Sequence, residues 1–263
     1  MKLTDIILSK KANSLTKYPS IPTYHKMEKG KLSNELSVPN LNQMEKEVTE
    51  KIDGTNIRIL ILDDDYVIGS REEFMYARGD RVVPTKEKRK MEHLIRQAEW
   101  ILGYEKLKPH TLYCIYGELY GSKILKSWHK YTKHDVYGFR VFDMWEMNIN
   151  DFETIHKMFC EDEASSWRES CAQPWYDIEQ LEEFTKDCQL CKVPTLRIEE
   201  GAIGETLEEA YNYLSKFNTT RVNLDGEKVE EKPEGIVVRT PDRKYIAKLR
   251  YKDYERMRRK KEF

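Results

Sequence analysis

The spacing of hydrophobic residues along the chain predicts strands and helices in an irregular order. A β-rich run of isoleucines extends from Glu47 to Ile61 and stops at three aspartates, and residues 66–68 resume it as the second strand of a hairpin. Residues 86–107 instead place apolar side chains at helical spacing. The other predicted strands are 111–120, 137–145, 193–198, 235–240 and 245–249, and the other predicted helices are 151–160, 177–190 and 207–217.

This mixture of elements predicts the fold class. Strands and helices without regular alternation indicate an α+β fold around antiparallel sheets that are flanked by helices, after a short helix and irregular segments in residues 1–46. The 263 residues, of which 39% are hydrophobic and 35% charged, supply enough core for a single domain over 1–263 with a basic tail at 255–263. No apolar run reaches the ~20 residues that span a bilayer, so no membrane partner is expected.

Cysteine usage and charge bear on location and on partners. Five cysteines are an odd number at low density, which predicts reduced thiols and a cytoplasmic protein. The net charge of -1 conceals an asymmetry, because residues 239–263 hold eleven Lys and Arg against four Asp and Glu. A basic end of this kind is either a solvated face or a local site for a polyanion.

The segment from Glu50 to Asn56 carries the first candidate for chemistry, Lys51. A lysine in an apolar, β-rich setting loses its proton more easily than in water, and a neutral amine is a nucleophile. Gly54, three residues on, allows the backbone to approach a ligand closely. The alternative is an exposed lysine beside a hairpin glycine.

Further charged and aromatic residues lie on or beside the predicted strands. Two carboxylates, Glu118 and Glu234, stand at strand ends, and an alternating aromatic strand runs from Phe139 to Asp143. Such a set suits phosphoryl or nucleotidyl transfer, in which cations offset phosphate charge and carboxylates hold a divalent metal. Each residue alone could equally be a solvated strand position. The cations in this set are Lys51, Arg71, Lys248 and Arg250.

In these residues the sequence resembles the covalent nucleotidyltransferases, which include polynucleotide ligases and messenger-RNA capping enzymes. Six short motifs occur in the family's order between Glu47 and Tyr254. The resemblance implies an ATP-grasp-like adenylation fold and a covalent nucleotide on Lys51. It implies that Lys248 and Arg250 contact the α-phosphate, although the family usually has lysine at the second position. It also assigns Arg71 to the nucleotide.

The same resemblance implies roles for the carboxylates and for the aromatic strand. Glu118 matches a glutamate associated with ribose and metal, and Glu234 matches a metal-binding glutamate. Both imply Mg²⁺ as the metal, with Mn²⁺ possible. Phe139 is our choice for the residue that stacks on the base, and Phe142 is the alternative.

Within this family, the sequence is similar to RNA ligases of the phage-repair and RNA-editing branch. Asn56 stands where DNA ligases and capping enzymes usually carry Arg, and Glu50 precedes the lysine as in that branch. The resemblance assigns Glu50, Gly54 and Asn56 to the nucleotide pocket, with Asp53 near the lysine or metal.

The function implied is ATP-dependent joining of 5′-phosphate and 3′-hydroxyl RNA ends through lysyl-AMP and an RNA-adenylate. Only thirteen residues follow Arg250, so we expect no OB-fold domain. Basic residues from Arg256 to Lys261 could supply part of the grip on RNA, and a separate clamp or repair subunit is a possible partner. A minimal DNA ligase, a non-catalytic nucleic-acid-binding module and a GTP-using capping enzyme are the alternatives.

Overall fold

The computed structural model describes residue 3 and residues 9–79, 88–196, 203–226 and 230–259. Its strands are β1 (His25–Glu28), β2 (Lys31–Leu36), β3 (Glu47–Lys51), β4 (Thr55–Leu62), β5 (Asp65–Ser70), β6 (Phe74–Ala77), β7 (Thr111–Gly121), β8 (Tyr137–Asn148), β9 (Thr195–Leu196), β10 (Gly235–Arg239) and β11 (Ile246–Arg250). Its helices are α1 (Lys10–Leu15), α2 (Lys88–Leu102), α3 (Ile149–Met158), α4 (Glu161–Glu169), α5 (Ile178–Asp187), α6 (Leu207–Leu214) and α7 (Tyr251–Arg259).

Five strands form the larger antiparallel sheet, in the spatial order β6-β5-β4-β7-β8. One face packs against α2 and α5, whose apolar stripes contribute Met91, Leu94 and Leu181 to a buried cluster. The other face covers a second cluster, which includes Leu15 of α1 and Phe152 of α3. The sheet is therefore buried on both faces, which explains the near-continuous apolar character of β4 and β7.

Four strands form the second antiparallel sheet, in the order β11-β10-β3-β9. Val48, Ile236 and Leu249 point to one side, where they pack with α6 and α7. Because side chains alternate along a strand, the neighbouring residues of β3, β10 and β11 face the opposite side, toward the larger sheet. Lys51, Lys248 and Arg250 lie on that inner side, whereas Glu50 pairs with Ile236 and shares its side of the sheet.

The α+β class with antiparallel sheets is confirmed, and most predicted elements are present. The β-rich run from Glu47 to Ile61 is divided between two strands, β3 and β4, which belong to different sheets. Residues 52–54 carry the chain from one sheet to the other. The β1–β2 hairpin and α4 were not predicted, since their polar sequences give no clear periodicity. Parts of the predictions at residues 86–87, 197–198 and 260–263 lie outside the described residues.

Candidate functional site

A cavity of about 460 Å³ lies between the two sheets. It is lined by almost every residue that the sequence singled out, although these residues come from five separate segments. The predicted residues that line it are Glu50, Lys51, Asp53, Gly54, Asn56, Arg71, Glu118, Glu234, Lys248 and Arg250.

Strand register explains why the cationic residues converge at this cavity. Gly235 of β10 pairs with Lys51 on one side and with Arg250 on the other. In the next inward-facing row, Val237 pairs with Thr49 and with Lys248. Residues nearly 200 positions apart in sequence thus lie within two rows of one sheet face.

The amine of Lys51 forms an ion pair with the Glu234 carboxylate, and both side chains are mostly buried. Glu234 directly precedes β10, so the β3–β10 pairing brings it to the end of β3. The second oxygen of Glu234 lies 3.9 Å from the amine of Lys252. Lys51 is therefore held in the cavity wall by a carboxylate that has a further cation beside it.

Glu118 occupies the larger sheet's side of the cavity, where it pairs in register with Asn56. Its carboxylate accepts a hydrogen bond of 3.1 Å from the Gly54 backbone N–H. Burial raises the pKa of Glu118 to about 7; Lys51 opposes this rise and Glu234 adds to it. The side-chain oxygen of Asn56 is buried without a hydrogen-bond partner among the described residues. The Glu118 carboxylate and the Asn56 side-chain oxygen are therefore both able to bind a ligand.

Gly54 has a different structural role from the one that the sequence suggested. A Cβ at this position would lie 2.4 Å from the Leu119 carbonyl oxygen and 2.8 Å from the Glu118 side chain. The glycine is required by the close approach of β7, and thereby by the position of Glu118. Approach of a ligand is not needed to explain it.

The two cations of β11 differ in their surroundings. Burial, with the charges of Arg250 and Lys51, lowers the pKa of Lys248 to about 8. Arg250 donates a 2.7 Å hydrogen bond to Asp253, which fixes its guanidinium. Arg71 is exposed at the end of β5 and contributes a further positive charge to the rim.

The placement of the aromatic strand corrects our choice of Phe139. Phe139 is 6% exposed in the core, and a Cβ on Gly117 would lie only 2.3 Å from its ring. Phe142 lines the cavity instead, with the Tyr18 ring packed edge-on at 5.0 Å. A β-bulge opposite Tyr116 and Gly117 changes the facing of side chains along β8, so the alternation cannot be extended through it.

Glu50 and Asp53, which flank the nucleophile candidate, are both held by other parts of the chain. The Glu50 carboxylate accepts hydrogen bonds from the Thr220 hydroxyl and from the Arg221 backbone N–H. Its burial raises its pKa. Asp53 accepts a 2.5 Å hydrogen bond from Ser127, and its own N–H donates to the Tyr131 hydroxyl at 2.7 Å. These contacts fix the backbone on both sides of Lys51.

Sequence reasoning missed several cavity residues. Arg239 is 3% exposed and joins Glu47 to Asp143 through ion pairs of 3.2 and 3.3 Å. Asp143 directly follows Phe142 in the aromatic motif, so this position in the sequence could have identified Asp143 as a residue near the site. The apolar part of the wall had no signal of its own in the sequence. Its members are Ile21, Val193, Val237 and Ile246.

The donor set fits a hard divalent cation. Glu118 and Glu234 supply carboxylate oxygens, the ligands that Mg²⁺ and Mn²⁺ prefer, and Mg²⁺ usually takes only one or two from a protein. The raised pKa of Glu118 means that burial disfavours its ionised form. A bound cation would stabilise that form. Among the described residues no cluster of three or more metal-binding side chains forms, so phosphate and water oxygens would have to complete the shell.

Comparison with known families and structures gives concordant results. A model of the RNA ligase family matches residues 44–252. A comparison with curated proteins finds no match. No helix among the described residues is long and apolar enough to cross a membrane.

The structures similar to this one include several of the Naegleria gruberi RNA ligase. A mutant with AMP and Mn is 18% identical with a TM-score of 0.55, over 92% of this chain and 61% of that one. A mutant with ATP and Mn is 16% identical with a TM-score of 0.54, over 92% and 62%. The same ligase with PPi is 18% identical with a TM-score of 0.54, over 97% and 64%. This chain thus shares their fold and spans about three fifths of their length, and our expectation about an OB-fold domain stays a prediction.

Proposed function

Since this chain belongs to the RNA ligase family, we propose that it is an ATP-dependent RNA ligase that joins 5′-phosphate and 3′-hydroxyl ends. The observation that carries the proposal is the single cavity in which Lys51, two carboxylates and the β11 cations meet beside an apolar wall. Pure nucleic-acid binding has no use for a lysine buried against a carboxylate. The Naegleria gruberi structures with ATP, AMP and PPi support ATP as the nucleotide.

The first step forms a covalent nucleotide on this chain. The neutral amine of Lys51 attacks the α-phosphorus of ATP, a P–N bond forms, and the bond to pyrophosphate breaks while the amine loses its proton. Lys51 must first leave its ion pair with Glu234. Lys248 and Arg250 face the same side of β11 and stabilise the charge that develops on the phosphate.

Glu118 and Glu234 would hold a divalent cation, Mg²⁺ or Mn²⁺, whose charge neutralises that of the triphosphate. Once Lys51 has left the ion pair, Glu234 is free for this role. Phe142 and the apolar wall provide the surface against which the adenine ring stacks. Arg71 contributes its charge at the rim.

The later steps use the RNA ends as substrates. AMP passes from Lys51 to the 5′-phosphate, and the 3′-hydroxyl then displaces AMP as the phosphodiester forms. We assign Asn56 to the 5′-phosphate end of the pocket, where its unpaired amide oxygen can accept a hydrogen bond from a ribose hydroxyl of the substrate. A separate clamp or repair subunit that adds contacts to the RNA is compatible with this scheme.

Incubation with α-labelled ATP and Mg²⁺ tests the proposal. The protein should acquire an acid-labile, hydroxylamine-sensitive label that survives a denaturing gel, and Lys51→Ala should abolish it. Lys186→Ala, which removes an exposed lysine of α5, is the matched control and should label normally. Labelling that persists in Lys51→Ala would place the nucleophile elsewhere.

The polynucleotide specificity needs a separate comparison. Nicked substrates whose 3′-hydroxyl strand is RNA or DNA should be sealed at different rates, with RNA preferred. Equal or faster sealing of the DNA strand would identify a minimal DNA ligase. Labelling by GTP in place of ATP would indicate a capping enzyme.

A further inference from the structure

A basic loop joins β7 to β8 beside the cavity. Residues 122–134, which we call the basic loop, make up most of this connection and contain four lysines and two histidines; Asp135, the next residue, is the one carboxylate between the two strands. Lys123, Lys126 and Lys133 are exposed, and Lys130 is half-buried. Lys123, Lys126 and Lys130 form no ion pair with any described carboxylate, so their charge is not neutralised within the described fold.

The basic loop is ordered by contacts of its own. A 3-10 turn at Trp128–Lys130 is closed by backbone hydrogen bonds, including one of 3.0 Å from the Lys130 N–H to the Ser127 carbonyl. Tyr131 is fully buried, and its ring packs at 5.2 Å from that of Tyr120. The lysines therefore project from a fixed frame, which reduces the entropy lost when they bind a ligand.

The basic loop is also hydrogen-bonded to the segment that carries the nucleophile. Ser127 donates to the Asp53 carboxylate, and the Tyr131 hydroxyl accepts from the Asp53 N–H. Asp53 lines the cavity, whereas the loop lysines do not. Their charge therefore lies at the edge of the nucleotide cavity, where a longer polyanion would continue past the reacting phosphate.

We infer that the basic loop binds the phosphate backbone of the RNA strand whose 5′ end enters the cavity, through Lys123, Lys126 and Lys130. The inference rests on the proposed function, because that function makes RNA the polyanion at this cavity. Phosphate contacts position a strand without reading its sequence, as a ligase of varied ends requires. The bonds to Asp53 then set the position of the bound strand relative to Lys51.

The test measures binding of a short, 5′-phosphorylated, fluorescent single-stranded RNA in the absence of ATP. The variant replaces Lys123, Lys126 and Lys130 together by Gln. The matched control replaces Lys10, Lys157 and Lys186 by Gln, which removes the same charge from exposed helix positions. Thermal unfolding of both variants verifies that each is folded.

Loss of three phosphate contacts should reduce the slope of log K against log salt by about 2. Between about 50 and 200 mM salt, the wild type should then lose roughly 15-fold more affinity than the loop variant, which binds more weakly at the low-salt end. The control should match the wild type. An unchanged slope and affinity in the loop variant, or an equal loss in the control, overturns the inference.

Failure of the proposed function is distinguishable from failure of this inference. The former appears as absent labelling of the wild-type protein by ATP. The latter appears in RNA binding, which needs no ATP.

Discussion

At the scale of single residues, the facing of one phenylalanine determines where a base can stack. Phe139 and Phe142 are three positions apart on β8, and in a regular strand they face opposite sides. The bulge between Val141 and Asp143 leaves Phe142 on the cavity side together with its neighbour Asp143. Gly117 accommodates the Phe139 ring on the core side. Phe142 is thus the ring that lines the cavity, and Phe139 is part of the core.

The two phenylalanines should therefore respond differently to truncation. Stacking of an aromatic face on a base contributes roughly 1–3 kcal/mol, so Phe142→Ala should raise the apparent KM for ATP by about 5- to 150-fold. Phe139→Ala should instead lower the free energy of unfolding by about 3–5 kcal/mol, as for a buried phenylalanine. Self-labelling at varied ATP concentrations measures the effect on KM, and urea titrations measure the effect on the free energy of unfolding. A normal KM in Phe142→Ala would remove it from the base site.

Glu118 gives a prediction about pH. Its pKa of about 7 in the folded protein exceeds the usual value of 4.5, so the folded state holds a proton that the unfolded chain releases. The free energy of unfolding should therefore fall as pH rises from about 4.5 to about 7. Mg²⁺ competes with this proton, so its stabilising effect should grow over the same range.

Glu118→Gln should remove the Glu118 contribution to both pH dependences, because the amide keeps the oxygen that accepts from Gly54 but cannot ionise. Urea unfolding between pH about 5 and about 8, with and without Mg²⁺, measures this contribution. Glu161→Gln, at an exposed helix position, is the control. If the free energy of unfolding of Glu118→Gln varies with pH as that of the wild type does, the raised pKa of Glu118 is not the cause of the pH dependence.

At the scale of elements, α7 combines packing with charge. Tyr251, Tyr254 and Met257 are buried against the four-stranded sheet and α6. The Arg258 guanidinium lies over the Tyr211 ring at 4.7 Å. The part of the basic tail up to residue 259 is therefore a packed helix, while its predicted contact with RNA remains a prediction.

Truncation after Tyr254 should accordingly destabilise the protein. Loss of the buried Met257 side chain costs about 2–5 kcal/mol, and self-labelling and RNA sealing should decline together at temperatures near unfolding. Arg256→Gln with Arg259→Gln removes charge but no core contact, so its stability should change by no more than about 0.5 kcal/mol. An RNA role for the tail predicts weaker, less salt-sensitive sealing in this second variant. Unchanged stability after truncation would contradict the packing role.

At the scale of the whole molecule, buried charges join the two sheets beside the cavity. Asp143 of the larger sheet accepts from Arg239 of the smaller one at 3.3 Å and from Arg243 at 2.7 Å. The Tyr18 hydroxyl donates to the same carboxylate at 2.9 Å. Because both sheets supply cavity residues, this carboxylate helps to set the distance between the two walls.

Asp143→Asn should leave the buried Arg243 guanidinium without its anion and Arg239 with Glu47 alone. Breaking a buried pair by removing one partner costs about 3–5 kcal/mol, which chemical denaturation can measure. Asp151→Asn at an exposed position of α3 is the control and should be neutral within about 0.5 kcal/mol. A loss below about 1 kcal/mol for Asp143→Asn would mean that the sheets are held without this network.

The sequence by itself determined the local features of this protein. The patterns of β7, β8, β10 and β11 are recognisable because each strand is a largely buried, mostly apolar run. Asp177 begins a helix because its side chain caps the backbone, a signal that depends on neighbours only three residues away. The order of the polar motifs was likewise a property of the sequence, and it led to Lys51 and to the carboxylates.

Only the tertiary structure decided which of these residues meet, and how. The split of the run after Lys51 into two sheets and the pairing of Glu47 with Arg239 depend on partners far away in sequence. The bulge at Phe142 reverses the facing of Asp143 and of the β8 residues that follow it, and no periodicity in the sequence predicts it. Periodicity describes one strand at a time, whereas register, bulges and buried ion pairs arise between strands, and these form the walls of the site.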